Sequence, residues 1–311
     1  MSLAIDAVPV SARHAAGGRL SRAPGGRPSF APATPRVPGV DAGLDYLQPM
    51  SGRPVNYLYQ PPPGIPWENC AYASRVMHVA DARAIAARPS VDREGYELWE
   101  APSVLSDFHD HEAIRRDYYP EMAELACWVT GAREAFVFDH LVRRREAGRP
   151  PLGFGRMGDG SRPAAVSRVH NDYSEASGRA RLDKVITDAA RRAGVERFAI
   201  VNIWRSIAGP VVDTPLAVCD ARSVLADDLV PAEIRYPDRI GEIYLLHHAA
   251  RHRWAFYPEM DRHEALVFKQ YDSRVNGVAR FTPHAAFDLP DVPDDAPLRQ
   301  SIEVRCLVVF D

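Results

Sequence analysis

The residues of greatest chemical interest are His170 and Asp172, which stand two positions apart. Side chains alternate along an extended strand, so an imidazole and a carboxylate at this spacing point to the same side. A second imidazole, His284, lies far along the chain and would complete a face of three ligands. Two histidines and one carboxylate with open coordination positions are typical of non-haem Fe(II) oxygenases. The pattern predicts an iron site at His170, Asp172 and His284.

The choice of the distal histidine stays open at this point. His247 and His248 end one predicted strand and His252 begins the next, so any of them could face the same cavity. We favour His284 because it follows a predicted strand and a loop, and because another loop then leads to the last strand of the chain.

The last predicted strand carries four polar residues on one face, namely Arg299, Ser301, Glu303 and Arg305. Turning two arginines inward costs free energy unless anions meet them. A bound dicarboxylate would offer one carboxylate to Arg299. For Arg299 we favour this role over pairing with an acidic neighbour, and for Arg305 the two interpretations are equal.

Composition and charge exclude several classes of protein. The chain has 311 residues, a net charge of -3 and a pI of about 6.4, which does not favour nucleic acid or an anionic membrane as a partner. It lacks an apolar run of about 18 residues, so no transmembrane helix is expected. The four cysteines form no CxxC pair and are expected to be reduced. We expect no secretory signal and a cytoplasmic location.

The distribution of turn-forming and apolar residues predicts one domain preceded by an arm. Residues 1–40 are rich in Gly, Pro, Ala and Arg, which is typical of a flexible segment. The helical spacing over 111–129 predicts that 41–160 forms a wrap of helices and strands. Short alternating runs over 161–311 predict a sandwich or barrel. We therefore predict an α+β chain, mainly β, with a jelly-roll or cupin-like core on which N-terminal helices pack.

Predicted strands and helices follow from these runs. The first strands and turns are expected at 76–86 and 96–101. Further strands are expected at 134–140, 198–204, 215–220, 241–248, 252–257, 264–269, 279–284 and 301–310, and a second helical stretch at 176–193.

Ten blocks of sequence resemble the AsaB/CmcJ-like hydroxylase/desaturase family. They are DREGYE (92–97), FDH (138–140), NIWR (202–205), GPV (209–211), PLAVCD (215–220), RY (235–236), HRW (252–254), FKQYDS (268–273), FTPH (281–284) and SIEVR (301–305). The likeness begins at residue 45 and reaches the C-terminus. The family includes fungal gibberellin desaturase-like proteins and the oxidative component of cephamycin 7α-methoxylation.

The resemblance implies an Fe(II)- and 2-oxoglutarate-dependent oxygenase with a double-stranded β-helix, which uses O2 to oxidise a small molecule. It implies that His170, Asp172 and His284 hold the iron and that Arg299 anchors 2-oxoglutarate. The first substrate to consider is a cephem hydroxylated at the 7α position, beside a partner methyltransferase.

Further site residues are expected from the same likeness. The spacing of Arg299, Ser301 and Arg305 resembles the co-substrate strand of nucleic-acid-repair dioxygenases, in which both arginines touch 2-oxoglutarate. Asn202, in the NIWR block, is expected at the co-substrate as well.

Three side chains are candidates for a substrate pocket: Trp204, Arg205 and Trp254. Arg205 could hold a substrate carboxylate, or it could serve in strand pairing or at the surface. Tryptophan is more often a core residue than a pocket residue. Two other functions stay open, a cupin-type metal enzyme that does not use 2-oxoglutarate and a non-catalytic subunit that supports a partner enzyme.

Overall fold

Short alternating runs broken by Pro, Gly and Asp form fourteen strands in the part of the chain that the computed structural model describes, residues 37–146, 148 and 165–311. The predicted arm therefore lies outside the described residues up to residue 36. The strands are β1 Gly39–Leu47, β2 Val55–Tyr57, β3 Tyr72–Asp81, β4 Tyr96–Glu100, β5 Glu134–Arg144, β6 His170–Asn171, β7 Phe198–Ser206, β8 Leu216–Cys219, β9 Leu229–Arg235, β10 Ile240–Leu246, β11 Trp254–Phe256, β12 Glu264–Asp272, β13 His284–Ala286 and β14 Gln300–Val309.

The strands form two sheets. One has the order β1-β3-β11-β8-β13-β6-β10-β9-β2, and the other has the order β4-β12-β7-β14-β5. All neighbouring pairs are antiparallel except β3 with β11 and β2 with β9. The described chain is thus mainly β with few helices and mixed, curled sheets, which is consistent with a jelly roll.

The two sheets share a buried apolar core. Trp204 on β7 and Leu266 and Phe268 on β12 pack with Leu216 and Val218 on β8 of the larger sheet. Burying an apolar side chain of this size contributes about 1.5–3 kcal/mol. This core fixes β7 and β12 opposite β8, the strand beside β13.

The larger sheet is curled so strongly that its first strand, β1, pairs with residues next to β6 and β10. Asp45 of β1 forms a bridge with Arg168, just before β6, and Leu47 forms one with His247. The curl encloses a second core that includes Tyr46 and Trp254.

A helical segment covers the outer face of the smaller sheet. It comprises α1 His111–Ala113, a π-helical turn Ile114–Tyr118 and α2 Tyr119–Thr130. Asp110 caps its start by accepting hydrogen bonds from the backbone N–H groups of Glu112 and Ala113. Its apolar face packs on β7, β12 and β14, so these strands are buried on both sides.

Two further helices follow β6. They are α3 Glu175–Val185 and α4 Ala189–Ala193, within the stretch predicted as helical. Ser174 caps α3 through a side-chain hydrogen bond from the Ser177 backbone N–H.

The structure departs from the predicted elements mainly near the N-terminus. β1 begins at Gly39, inside the segment predicted as an arm. The strands β1 to β5 are themselves members of the two sheets and do not form a layer around them. β9 was not predicted because Pro231 interrupts its pattern. Pro231 is tolerated because β2 pairs with β9 only from Glu233 onward.

The strand predicted at 279–284 is also placed differently in the structure, where β13 spans His284–Ala286. Its ladder begins only at His284, after Pro283, which has no N–H to donate. No helix of the described residues is long and apolar enough to cross a membrane.

Candidate metal and co-substrate site

The described structure brings His170, Asp172 and His284 together. His170 in β6 and His284 in β13 are register partners on antiparallel strands, and their ring centroids lie 4.3 Å apart. Asp172 follows β6 directly. One ligand atom from each of the three residues lies within 4.8 Å of the other two. This is the only such group of three or more His, Cys, Asp or Glu side chains among the described residues.

Backbone carbonyls orient both imidazoles. Nδ1 of His170 lies 2.7 Å from the carbonyl oxygen of Arg168, and its Nε2 lies 3.4 Å from Oδ1 of Asp172. Nδ1 of His284 lies 3.4 Å from the carbonyl oxygen of Thr282. A histidine that binds metal through one ring nitrogen usually hydrogen-bonds through the other. Both rings therefore have the second contact expected of metal ligands.

Burial keeps His284 neutral. The burial of its side chain, and secondly the nearby His170, lower the pKa of His284 to about 3. A neutral imidazole offers the lone pair that a metal ion needs.

Two donors hold the Asp172 carboxylate in place. Its Oδ2 accepts hydrogen bonds from Nδ2 of Asn202 at 2.8 Å and from Nε of Arg305 at 3.0 Å. Burial alone would raise the pKa of Asp172, but Arg305 and the two imidazoles outweigh burial and hold this pKa well below its ordinary value. The carboxylate is therefore ionised, with Oδ1 on the side of His170.

These donors fit the chemistry of Fe(II). Two imidazoles and one ionised carboxylate meet in one cluster. This combination is the ligand set of non-haem iron oxygenases. Asn202 and Arg305 supply the hydrogen bonds that orient the carboxylate ligand.

The cluster and Arg299 line the same small cavity, of about 20 Å³. Besides the three cluster residues, its lining includes Arg143, Trp204, Leu216, Ala286, Arg299 and Glu303.

Arg299 is a buried cation. It is 4% exposed, donates from Nη1 to the carbonyl oxygen of Thr214 at 2.9 Å and from Nε to Oγ of Ser301 at 3.2 Å, and lies 5.1 Å from the Trp204 ring. Burial, and secondly Arg143, lower the pKa of Arg299 to about 10, so it stays charged at neutral pH. Among the described residues, no carboxylate lies within ion-pair distance of its guanidinium. The site thus contains a cation suited to an anion from outside.

Arg305 already has several acidic partners. Besides Asp172, its guanidinium donates to Asp139 at 2.8 Å and to Glu303 at 2.9 Å. Asp172 and Glu303 outweigh the effect of burial and hold the pKa of Arg305 well above its ordinary value. Its contacts are therefore those of a residue that positions the Asp172 carboxylate.

Sequence reasoning missed Arg143 in the small cavity and left Glu303 without a role. Burial raises the pKa of Glu303 and lowers that of Arg143. The predicted strand ended at His140, whereas β5 continues to Arg144. Alternation from Asp139 along the longer strand would have placed Arg143 on the face of the site.

The structure does not bring Arg205 or Trp254 to the cluster. Arg205 lies on the opposite face of β7 from Trp204, stacked 5.1 Å from the Tyr118 ring under the helical segment. Trp254 lies in the second core and donates its indole N–H to the Tyr46 hydroxyl at 2.7 Å. Trp204 alone of the three candidate pocket residues lines the site.

The competing histidines also lie elsewhere. Nδ1 of His247 contacts the carbonyl oxygen of Leu47. His248 is exposed and packs against Tyr46. His252 is buried between the Tyr46 hydroxyl and Asp228, at 3.1 Å from each.

A larger cavity, of about 390 Å³, shares Asp172 with the small cavity and is also lined by Arg305. It extends along α3 and past β9 and β10, and Tyr173 is part of its wall. Its volume is in the range of small-molecule sites, about 300–1,000 Å³.

Comparison with known proteins identifies relatives across nearly the whole chain. The family model described as "Oxidoreductase/YMDC permease-like domain" matches residues 44–309. A hydroxylase/desaturase, CTB9 of Cercospora beticola, is 33% identical over 77% of this chain and 78% of its own length. An Fe(II)/2-oxoglutarate-dependent dioxygenase, nvfI of Aspergillus novofumigatus, is 30% identical over 85% of this chain and 94% of its own.

A solved structure is similar as well. The iron and alpha-ketoglutarate-dependent endoperoxidase NvfI matches with a TM-score of 0.76 and 26% sequence identity, over 87% of this chain and 98% of that one.

Proposed function

Because this chain belongs to the family of hydroxylases, desaturases and Fe(II)/2-oxoglutarate-dependent dioxygenases, we propose that it oxidises a C–H bond of a small secondary metabolite. It is an enzyme of the non-haem dioxygenase class, with Fe(II), 2-oxoglutarate and O2 as its cofactor and co-substrates. The observation that carries the proposal is the convergence of His170, Asp172 and His284.

The three converging side chains would hold the iron. When bound, the iron supplies oxidation chemistry that consumes 2-oxoglutarate and O2 and releases succinate and CO2. Asn202 and Arg305 fix the Asp172 carboxylate, so the ligand set is largely formed before metal arrives.

Arg299 would bind the distal carboxylate of 2-oxoglutarate. Support comes from its burial, its charge and the absence of a carboxylate partner among the described residues. Ser301 accepts from Nε of Arg299 and so orients the guanidinium. The small cavity holds about one water molecule, so we propose that its lining side chains, Arg143 among them, change rotamer as the co-substrate enters.

The substrate would occupy the larger cavity. Asp172 lines both this cavity and the small cavity, so a molecule in the larger cavity would lie next to this iron ligand. Cephem compounds head the panel to be tested, on the strength of the family resemblance, and co-purification would test for a partner methyltransferase.

The two alternatives receive less support. The relatives are named as dioxygenases, hydroxylases and desaturases, which favours neither a cupin-type enzyme without 2-oxoglutarate nor a non-catalytic subunit.

Succinate release tests the proposed function. The purified chain with Fe(II), 2-oxoglutarate, O2 and a substrate panel is expected to form succinate, and His170→Ala and Asp172→Ala are expected to abolish it. Succinate formation that persists in both variants, or that does not require iron, would contradict the proposal.

A further inference from the structure

The larger cavity has acidic residues in its wall, and each has a basic partner. Asp139 and Asp172 pair with Arg305. Glu242 pairs with Arg53, and Glu233 lies 3.8 Å from the same guanidinium. The carboxylates of the cavity are therefore neutralised within the protein.

Two cations of the cavity wall have no such partner. Arg181 and Lys184 lie one helical turn apart on α3, and both line the cavity. Within the described residues neither is in ion-pair distance of a carboxylate. The part of the cavity wall that α3 forms therefore carries positive charge that no carboxylate of the described residues compensates.

Aromatic rings hold Arg181 in place. Its guanidinium carbon lies 4.7 Å from the Phe138 ring centroid and 5.6 Å from that of Tyr173. Stacking on rings leaves the in-plane N–H donors of a guanidinium available to a ligand. Nε of Arg181 is buried and has no hydrogen-bond acceptor. A buried donor without a partner costs about 1–3 kcal/mol, so a native protein that keeps one needs a reason for it.

We propose that Arg181, assisted by Lys184, binds an anionic group of the substrate, most simply a carboxylate. The inference rests on the proposed function, because it assigns the larger cavity to the substrate. Arg181 would anchor the anionic end against α3, and the carbon to be oxidised would then point toward Asp172 and the iron. The residue is thus specificity-determining, and the substrate class is a small carboxylic acid.

A pair of probes that differ only in charge tests the inference. Indole-3-acetate and indole-3-acetamide are similar in shape, and only the first is anionic at pH 7.5. Calorimetric titration of the full chain is expected to show at least about tenfold tighter binding of the acetate. Arg181→Gln is expected to remove this preference, and Arg181→Lys to retain part of it.

Arg179→Gln is the matched control. Arg179 is on the same helix, is paired with Glu175 and does not line the cavity, so this variant is expected to keep the preference for the acetate. Equal binding of the two probes, no binding of either, or a preference that survives Arg181→Gln would overturn the inference. The titration needs neither iron nor turnover. A failed charge preference would therefore contradict this inference without contradicting the proposed function, and a failed succinate assay would contradict the proposed function without contradicting the charge preference.

Discussion

The imidazoles of His170 and His284 lie 4.3 Å apart because the two residues are register partners on β6 and β13. β8 holds β13 on its other side, and the shared apolar core holds β8 against β12. The rings are thus brought together by the ladder of the larger sheet, before any metal is bound. Removing a ligand should therefore affect metal binding more than folding.

The first prediction concerns Asn202, whose amide holds Oδ2 of Asp172. Asn202→Ala is expected to weaken Fe(II) affinity about 10–100-fold, which is typical when an orienting contact to a metal ligand is lost. The KM for 2-oxoglutarate, measured at saturating iron, is expected to stay unchanged. A raised KM with unchanged iron affinity would instead make Asn202 a co-substrate contact, as expected from the sequence.

The second prediction concerns the co-substrate anchor. Arg299→Ala is expected to raise the KM for 2-oxoglutarate roughly 100-fold, because the loss of a charge-assisted bidentate contact costs about 3 kcal/mol. Arg299→Lys should recover part of the loss, since lysine keeps the charge without the bidentate geometry. Steady-state kinetics at saturating iron provide the measurement, and an unchanged KM in Arg299→Ala would remove this residue from the site.

The third prediction concerns Arg205, on the far side of β7. Arg205→Met is expected to leave turnover and KM values unchanged, since its guanidinium lies under the helical segment beside Tyr118 and Met122. The free energy of unfolding is expected to rise by about 1 kcal/mol, because a buried cation without a carboxylate partner is replaced by an apolar chain of similar volume. Urea unfolding and kinetics check both parts. A raised substrate KM in a stable variant would place Arg205 in the pocket.

The fourth prediction concerns the contact of α3 with β12. Alanine usually stabilises a helix by about 1 kcal/mol relative to glycine. At Gly178, however, an added Cβ would lie 2.5 Å from ring carbons of Tyr271. Overpacking of this kind costs about 1–3 kcal/mol, so Gly178→Ala is expected to lower the free energy of unfolding by about 1–2 kcal/mol.

Gly194→Ala is the control for this contact. Its nearest neighbour would be a carbonyl oxygen at 3.4 Å, and its φ of -84° suits any residue. Urea unfolding should show little change for Gly194→Ala. If Gly178→Ala were the more stable of the two variants, α3 would not pack on Tyr271 as described.

Local patterns were sufficient to predict part of the site. Alternation along an extended segment put His170 and Asp172 on one side. The same rule put Ser301, Glu303 and Arg305 on one face of β14, together with Arg299 just before its first residue. Both inferences need only the order of residues within one strand.

Other features depended on contacts between distant segments. β7 is buried along its whole length because a helix covers its outer face, so the sequence did not indicate whether Trp204 or Arg205 faces the site. The register between β6 and β13 decides that His284, and not His248 or His252, meets His170. No local pattern specifies that register, so the sequence alone leaves the choice of distal histidine open.

The central claim, that His170, Asp172 and His284 hold iron while Arg299 holds 2-oxoglutarate, is tested most directly by an anaerobic titration. Wild-type protein and His248→Ala are expected to develop a visible charge-transfer band when Fe(II) and then 2-oxoglutarate are added, and His284→Ala is expected to develop none. His248 is the matched control because it is exposed and lies apart from the cluster. A full band in His284→Ala, or its loss in His248→Ala, would contradict the assignment of the site.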